Sequence, residues 1–190
     1  MGYGVLTALA PKTSDNQTGA LYEGHDYALL GEVADALLLM TYEWGYTYGP
    51  PMAVSPIKPV SQVVDYALSK IPAQKLFLGI SNYGYDFVLP YTQGISRANS
   101  VSTRTAYSIA SRYGAEIFFD ETVQAPYFDY TENGNAHRVW FEDIRSISQR
   151  LNLMAEKNLR GALWWNLNRE NNQTLLAINN LIDVETMELY

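Results

Sequence analysis

Residues 37–51 read LLLMTYEWGYTYGPP: a short apolar run, then a loop that crowds Tyr42, Trp44, Tyr46 and Tyr48 around Glu43 and closes on Gly49, Pro50 and Pro51. The apolar run, Ala36 to Met40, is too short for a helix and shows no alternation. Runs of this kind are strands buried on both faces, as in a parallel sheet. Three others share the character: Val5 to Ala10, Leu76 to Ile80 and Gly161 to Trp165.

Helical patterns separate these runs. Val60, Val63, Val64, Ala67, Leu68 and Ile71 form one stripe at helical spacing from Pro59 to Ile71, with proline allowed in the first turn. Tyr27 to Ala34 predicts a shorter helix, and Glu142 to Asn158 another, whose stripe is Ile144, Ile147, Leu151, Met154 and Ala155. A last helix is expected from Gln173 to Ile182. Strands alternating with helices predict an α/β fold.

One segment breaks the alternation. Residues 86–141 are too long for a plain loop and need structure of their own. A helix is expected from Ser100 to Tyr113, stopped by Gly114, followed by strands in AEIFFD (115–120), QAPYFDYTE (124–132) and AHRVWF (136–141). Glu132 to Asn135 is the turn between the last two. The segment is thus a small α+β insertion within a domain spanning residues 1–190.

Composition narrows the partners. A net charge of −7 opposes capture of nucleic acid or anionic membrane, which need clustered Lys and Arg. The longest apolar runs fall well short of the roughly 20 residues that span a bilayer. With no cysteine and only His25 and His137, a thiolate or histidine-built metal site is not expected, nor is a cofactor. The opening residues lack the basic segment and cleavage site of a secretory signal and enter an apolar strand at once, which suggests truncation. The 15 Tyr and 4 Trp are the informative excess, because amphipathic rings stack on flat faces and hydrogen-bond at their edges. Sugars have both needs.

Ligands bind at C-terminal strand ends in parallel α/β sheets. There the aromatic loop after Met40 either packs or binds. LGISNYGYDF (78–87) ends the third run, and alternation aims Tyr83 and Tyr85 to one side, with Asn82 beside them. GALWWNLN (161–168) ends the fourth; its adjacent indoles face opposite ways, one to the helical layer and one inward, as a sugar platform or as core.

Together these strand ends resemble glycoside hydrolase family 18 over nearly the whole chain. Met40, Tyr42 and Glu43 match its Met-x-Tyr-Asp signature at the sixth barrel strand, Gly79 to Gly84 its Gly-x-Pro-x-Tyr-Gly pattern at the seventh, and Trp165 its eighth-strand tryptophan. TALAPKTS, YEGHDY, MTYEWGYTYGPPMAVSPI and HRVWFED look like the spore-associated bacterial branch, N-acetylglucosaminidases of cortex peptidoglycan. The resemblance implies the C-terminal half, strands 5–8, of a (β/α)8 TIM barrel, with the insertion between strand 7 and its following helix.

It also implies substrate-assisted retention, in which the sugar's 2-acetamido oxygen attacks the anomeric carbon. Tyr42 would hold that acetamide with Met40 and Glu43 beside it, Trp165 would lie under the sugar, and Tyr83 and Tyr85 would line the wall. The ligand implied is an N-acetylglucosamine-containing glycan, and the parent protein is spore-associated or secreted. The family's general acid lies in an Asp-x-x-Asp-x-Asp-x-Glu segment that this sequence lacks, so no catalytic residue is expected here. Glu142-Asp143 and Asp183-x-Glu185 read instead as capping and surface charge, and Asp26, Asp35 and Asp120 as local hydrogen bonding or surface. Two departures stand out: Glu43 replaces the family's Asp, and Ser81 its proline. Four strands leave open sheet edges, which a homodimer or a missing N-terminal half-barrel would cover. His137 either reaches a substrate or ties the hairpin to the barrel.

Overall fold

The computed structural model describes residues 3–169 and 172–181. All four apolar runs are strands: β1 (Leu6–Leu9), β2 (Ala36–Leu39), β3 (Leu76–Ser81) and, last of nine along the described chain, β9 (Gly161–Trp165). They pair in parallel in the order β1-β2-β3-β9. Leu9, Leu37, Leu39, Leu76 and Leu78 are fully buried against the helices, whereas their neighbours Leu38 and Phe77 are half-buried and Leu6 is exposed. The sheet is therefore covered on one face by its own helices and much less on the other.

Helix α1 (Tyr27–Val33) starts where the Asp26 carboxylate accepts from the Leu29 amide at 3.0 Å. Helix α2 (Ile57–Leu68) begins before Pro59 rather than at it. A first-turn residue needs no intrahelical acceptor for its N–H, so proline fits at the third helical position as well. It buries Val60, Val63, Val64 and Ala67, the stripe read from the sequence.

The insertion forms a five-stranded antiparallel sheet, β5-β4-β8-β7-β6, from β4 (Tyr83–Leu89), β5 (Asn99–Ser102), β6 (Phe118–Asp120), β7 (Ala125–Glu132) and β8 (Asn135–Trp140). It begins at Tyr83, not at residue 86, so Tyr83 and Tyr85 lie on its first strand rather than at the end of β3. Gly84 permits this abrupt change of sheet: a Cβ there would stand 2.2 Å from the Trp140 carbonyl oxygen. Helix α3 (Thr103–Tyr113) also starts later than expected. Asn99–Ser102 pairs with β4, and the Ser102 hydroxyl then caps the Thr105 amide at 3.0 Å. Gly114 ends the helix at φ 61°, and Asn133 and Gly134 turn the β7–β8 hairpin at φ 50° and 80°.

Helix α4 (Ile144–Glu156) opens on a capping box between Asp143 and Ser146. Asp143 is thus a cap, as expected, but Glu142 is no surface charge: it is 1% exposed beside the equally buried Arg150. Burial removes water from its carboxyl and pushes it up to about 7, although Arg150 opposes the shift. Arg150 donates to the carbonyl oxygens of Ser55, Gln124 and Ser146, joining the β2–α2 loop, the insertion and α4. Helix α5 (Asn172–Leu181) follows β9; Ile182, Asp183 and Glu185 lie outside the described residues.

Candidate active site

The loop after β2 turns sharply at Glu43, whose φ of 68° is left-handed. The Trp44 and Gly45 amides donate to the Val54 and Ala53 carbonyls at 3.0 and 2.9 Å, so the strained residue sits in an anchored loop. The Tyr42 ring is 9% exposed and lies against β3 at Gly79, where a Cβ would come within 2.8 Å of it. Glycine at this point is a space requirement of the site.

The insertion sheet brings its Tyr83 and Tyr85 against this loop. Both hydroxyls donate to the Glu43 carboxylate, Tyr83 to Oε1 and Tyr85 to Oε1 and Oε2 at 2.9 and 3.1 Å. The two rings meet edge to face with centroids 5.9 Å apart. Burial first, and the charge of Glu43 next, push the Tyr85 hydroxyl up to about 12 and raise Tyr42; burial and then the hydrogen bond to Glu43 raise Tyr83. All three therefore remain phenols near neutral pH, and Tyr83 and Tyr85 keep their protons as donors.

Trp165, 55% exposed, lines the same cleft, while Trp164 packs into the main core. The two indoles face opposite ways, as strand geometry requires. Behind Trp165, the Asn166 amide donates to Asn82 Oδ1 at 3.0 Å, and Asn82 Nδ2 donates to the Asn166 and Arg169 carbonyls, each at 2.9 Å. Glu43, Tyr83, Tyr85, Ser100, Trp165, Asn166 and Arg169 line a cleft of about 240 Å³. Met40, Tyr42 and Glu43 line a neighbouring cavity of about 220 Å³ with Pro11, Leu21, Tyr22 and Trp44. Glu43 is common to both.

These features can be compared with known proteins. The sequence pattern of Glycosyl hydrolases family 18 matches residues 4–170. The chain belongs to that family. It is 50% identical over 184 residues to the cortical fragment-lytic enzyme of Bacillus subtilis (strain 168), covering 96% of this chain and 43% of that protein. The spore cortex-lytic enzyme SleL of Bacillus cereus superposes with a TM-score of 0.93 at 43% identity, over 96% of this chain and 42% of that one. A chitinase of Chromobacterium violaceum ATCC 12472, at 24% identity, shares the fold with a TM-score of 0.83 over 92% of this chain and 54% of its own. The chain thus spans less than half the length of the first two relatives and is a mixed α/β fold of the family 18 kind.

The six residues singled out by sequence all line this paired cleft, but unequally. Glu43, Tyr83, Tyr85 and Trp165 share one cavity, Met40 and Tyr42 the other, and Glu43 joins them. Of the remaining rings in the aromatic loop, Trp44 packs on the main core while Tyr46 and Tyr48 are exposed. Sequence reading missed Ser100, Asn166 and Arg169. The polar stretch NLNR after the paired tryptophans was the only local sign of the latter two.

His137 and Ser81 resolve differently. His137 Nδ1 lies 2.9 Å from Asp86 Oδ1, Tyr130 donates to Asp86 Oδ2 at 2.7 Å, and the His137 ring stacks on Tyr130. This network joins β4, β7 and β8 within the insertion. Ser81 is buried opposite Trp165 in the β3–β9 register, and its hydroxyl has no hydrogen-bond partner among the described residues. Asp26 caps α1 and Asp120 accepts from the Thr122 amide at 2.8 Å, both local hydrogen bonds, whereas Asp35 accepts at 2.8 Å from the amide of Val5, 30 positions away.

Proposed function

We propose that this chain supplies the sugar-holding side, strands 5–8, of a family 18 (β/α)8 barrel that acts on β-linked N-acetylglucosamine glycans of the peptidoglycan cortex. The observation that carries this reading is the convergence on Glu43 of the Tyr83 and Tyr85 hydroxyls in a cleft that the exposed Trp165 also lines. Tyr42 holds the 2-acetamido group, Glu43 orders the wall, and Trp165 forms the floor. The relatives named as cortex-lytic enzymes support the substrate class and a spore-associated parent.

Substrate-assisted retention needs one general acid. The sequence contains no Asp-x-x-Asp-x-Asp-x-Glu segment, and the absence of a general acid costs about 10²- to 10⁴-fold in rate. The chain alone therefore binds glycan and turns it over scarcely at all. Titration with N-acetylglucosamine oligomers, followed by tryptophan fluorescence, tests the binding. A silent titration, with Trp165→Ala indistinguishable from wild type, refutes it. Turnover of a fluorogenic N-acetylglucosaminide at the rate of a complete family enzyme refutes the missing acid.

A second reading, a glycan-binding module without hydrolysis, shares the same cleft and is separated by that activity assay. The exposed Leu6 on the edge strand β1 and Val5 just before it, with the half-buried Leu38 and Phe77, favour a covering partner. Either a second copy or an N-terminal half-barrel fills that place. Light scattering that shows a clean monomer at micromolar concentration excludes the homodimer.

A further inference from the structure

Arg169 is the cation of the cleft, and it is held in place from three sides. Its Nη1 donates to the Ser100 hydroxyl at 2.9 Å and to the Val101 carbonyl at 3.2 Å. Its guanidinium carbon stands 5.2 Å from the Tyr83 ring centroid, and its own carbonyl accepts from Asn82. These partners are all uncharged. Among the described residues no carboxylate lies within salt-bridge distance of Arg169, although Arg138, Arg145 and Arg150 each meet one.

That is an unusual position for a half-buried arginine in a chain of net charge −7. The nearest acidic group in the cleft, Glu43, already accepts from both tyrosine hydroxyls. Tyr83 stands between the two charges, its hydroxyl on Glu43 and its ring against Arg169. Arg169 Nη2 and Nε make no hydrogen bond among the described residues, so a planar fork remains for a bidentate acceptor. Because its stem and one nitrogen are already fixed, little side-chain entropy opposes such a contact.

We propose that Arg169 reads a carboxylate on the bound glycan, so that the cleft prefers an acidic amino-sugar chain over a neutral chitin-like one. The proposal rests on the glycan reading above and names the substrate feature that the same cleft selects. Two sources offer that chemistry: a lactyl ether carboxylate on the sugar itself, or the end carboxylate of a peptide attached to it.

The test is calorimetric titration of the full chain with four probes. They are a tetrasaccharide of alternating N-acetylglucosamine and N-acetylmuramic acid as the free acid, its methyl ester, the same glycan carrying tetrapeptides, and neutral N-acetylglucosamine tetramer. The free acid is expected to bind about tenfold tighter than its ester, a margin that shrinks with added salt. Arg169→Gln brings the acid-to-ester ratio to near one, and Arg169→Lys, which keeps charge but not the fork, leaves it intermediate. A preference confined to the peptide-bearing probe, and lost in Arg169→Gln, puts the carboxylate at the peptide end. Equal binding of acid and ester by the wild-type chain, with the peptide-bearing probe no tighter, overturns the proposal and leaves glycan binding standing. No binding of any probe overturns both. The acid-to-ester comparison on wild type needs no variant to fold.

Discussion

Asn82 and Asn166 bond each other reciprocally, the Asn166 amide donating to Asn82 Oδ1 at 3.0 Å and Asn82 Nδ2 to the Asn166 carbonyl at 2.9 Å. Asn82 is the single residue between the parallel sheet and the insertion sheet. It thereby fixes the loop behind Trp165 at the junction where the tyrosine wall begins. Asn82→Ala leaves the Asn166 amide without its acceptor and two carbonyls without a donor. A loss of about 1–3 kcal/mol in denaturant unfolding is expected, with weaker oligomer binding than in wild type. Unchanged midpoint and affinity together would show that the junction is held by other contacts.

Ser81 offers the opposite case. A buried hydroxyl with no partner costs about 1–3 kcal/mol in desolvation, so Ser81→Ala should raise stability by about 1 kcal/mol. Chemical denaturation measures it, with the expected shift in midpoint at unchanged slope. A destabilised variant would mean that the hydroxyl is satisfied.

The Glu43 carboxylate contributes to holding the Tyr85 hydroxyl up at about 12, after burial. Glu43→Gln removes the charge while keeping an acceptor. The Tyr85 titration, followed by NMR of carbon-labelled tyrosine, should move downward but stay above the ordinary value of 10.0, because burial persists. No movement would place the whole shift in burial.

Glu142 links stability to pH. Its carboxyl titrates near 4.5 when solvated and at about 7 in the fold, so between those values the native state binds the extra proton. Stability attributable to this group therefore falls as pH rises from about 4.5 to 7 and is constant above, by up to about 3 kcal/mol. Wild type should lose more stability between pH 5 and 8 than Glu142→Gln does. Parallel pH profiles for the two proteins would sink the assignment. Buried Arg150, 3.9 Å from Glu142 Oε1, and Asp143 are the other charges facing it.

Much of this was legible beforehand. The four strands of the parallel sheet follow from runs of apolar residues without alternation, and α2 and α4 from single apolar stripes, because burial against a sheet selects those periods directly. Helix starts were less legible. Ser102 and Asp143 are cap residues whose side chains decide the first turn, while Ser100 looked equally helical until β5 claimed its backbone.

The sequence by itself determined the parallel α/β alternation, which rests on apolar spacing along the chain that local geometry translates directly, and set apart a long segment with structure of its own. The six residues of the paired cleft came from the resemblance of their motifs to family 18, since spacing alone left each strand-end ring either packing or binding. Only the tertiary structure decided that Tyr83 and Tyr85 belong to a second sheet and close on Glu43, that Glu142 is buried beside Arg150, and that Arg169 stands in the cleft with no acidic partner among the described residues. The closure of the site depends on contacts between residues distant in the chain, as between Tyr83 and Glu43, 40 positions apart. Periodicity carries no information about such distances, because they are set by how two sheets pack and not by either one alone.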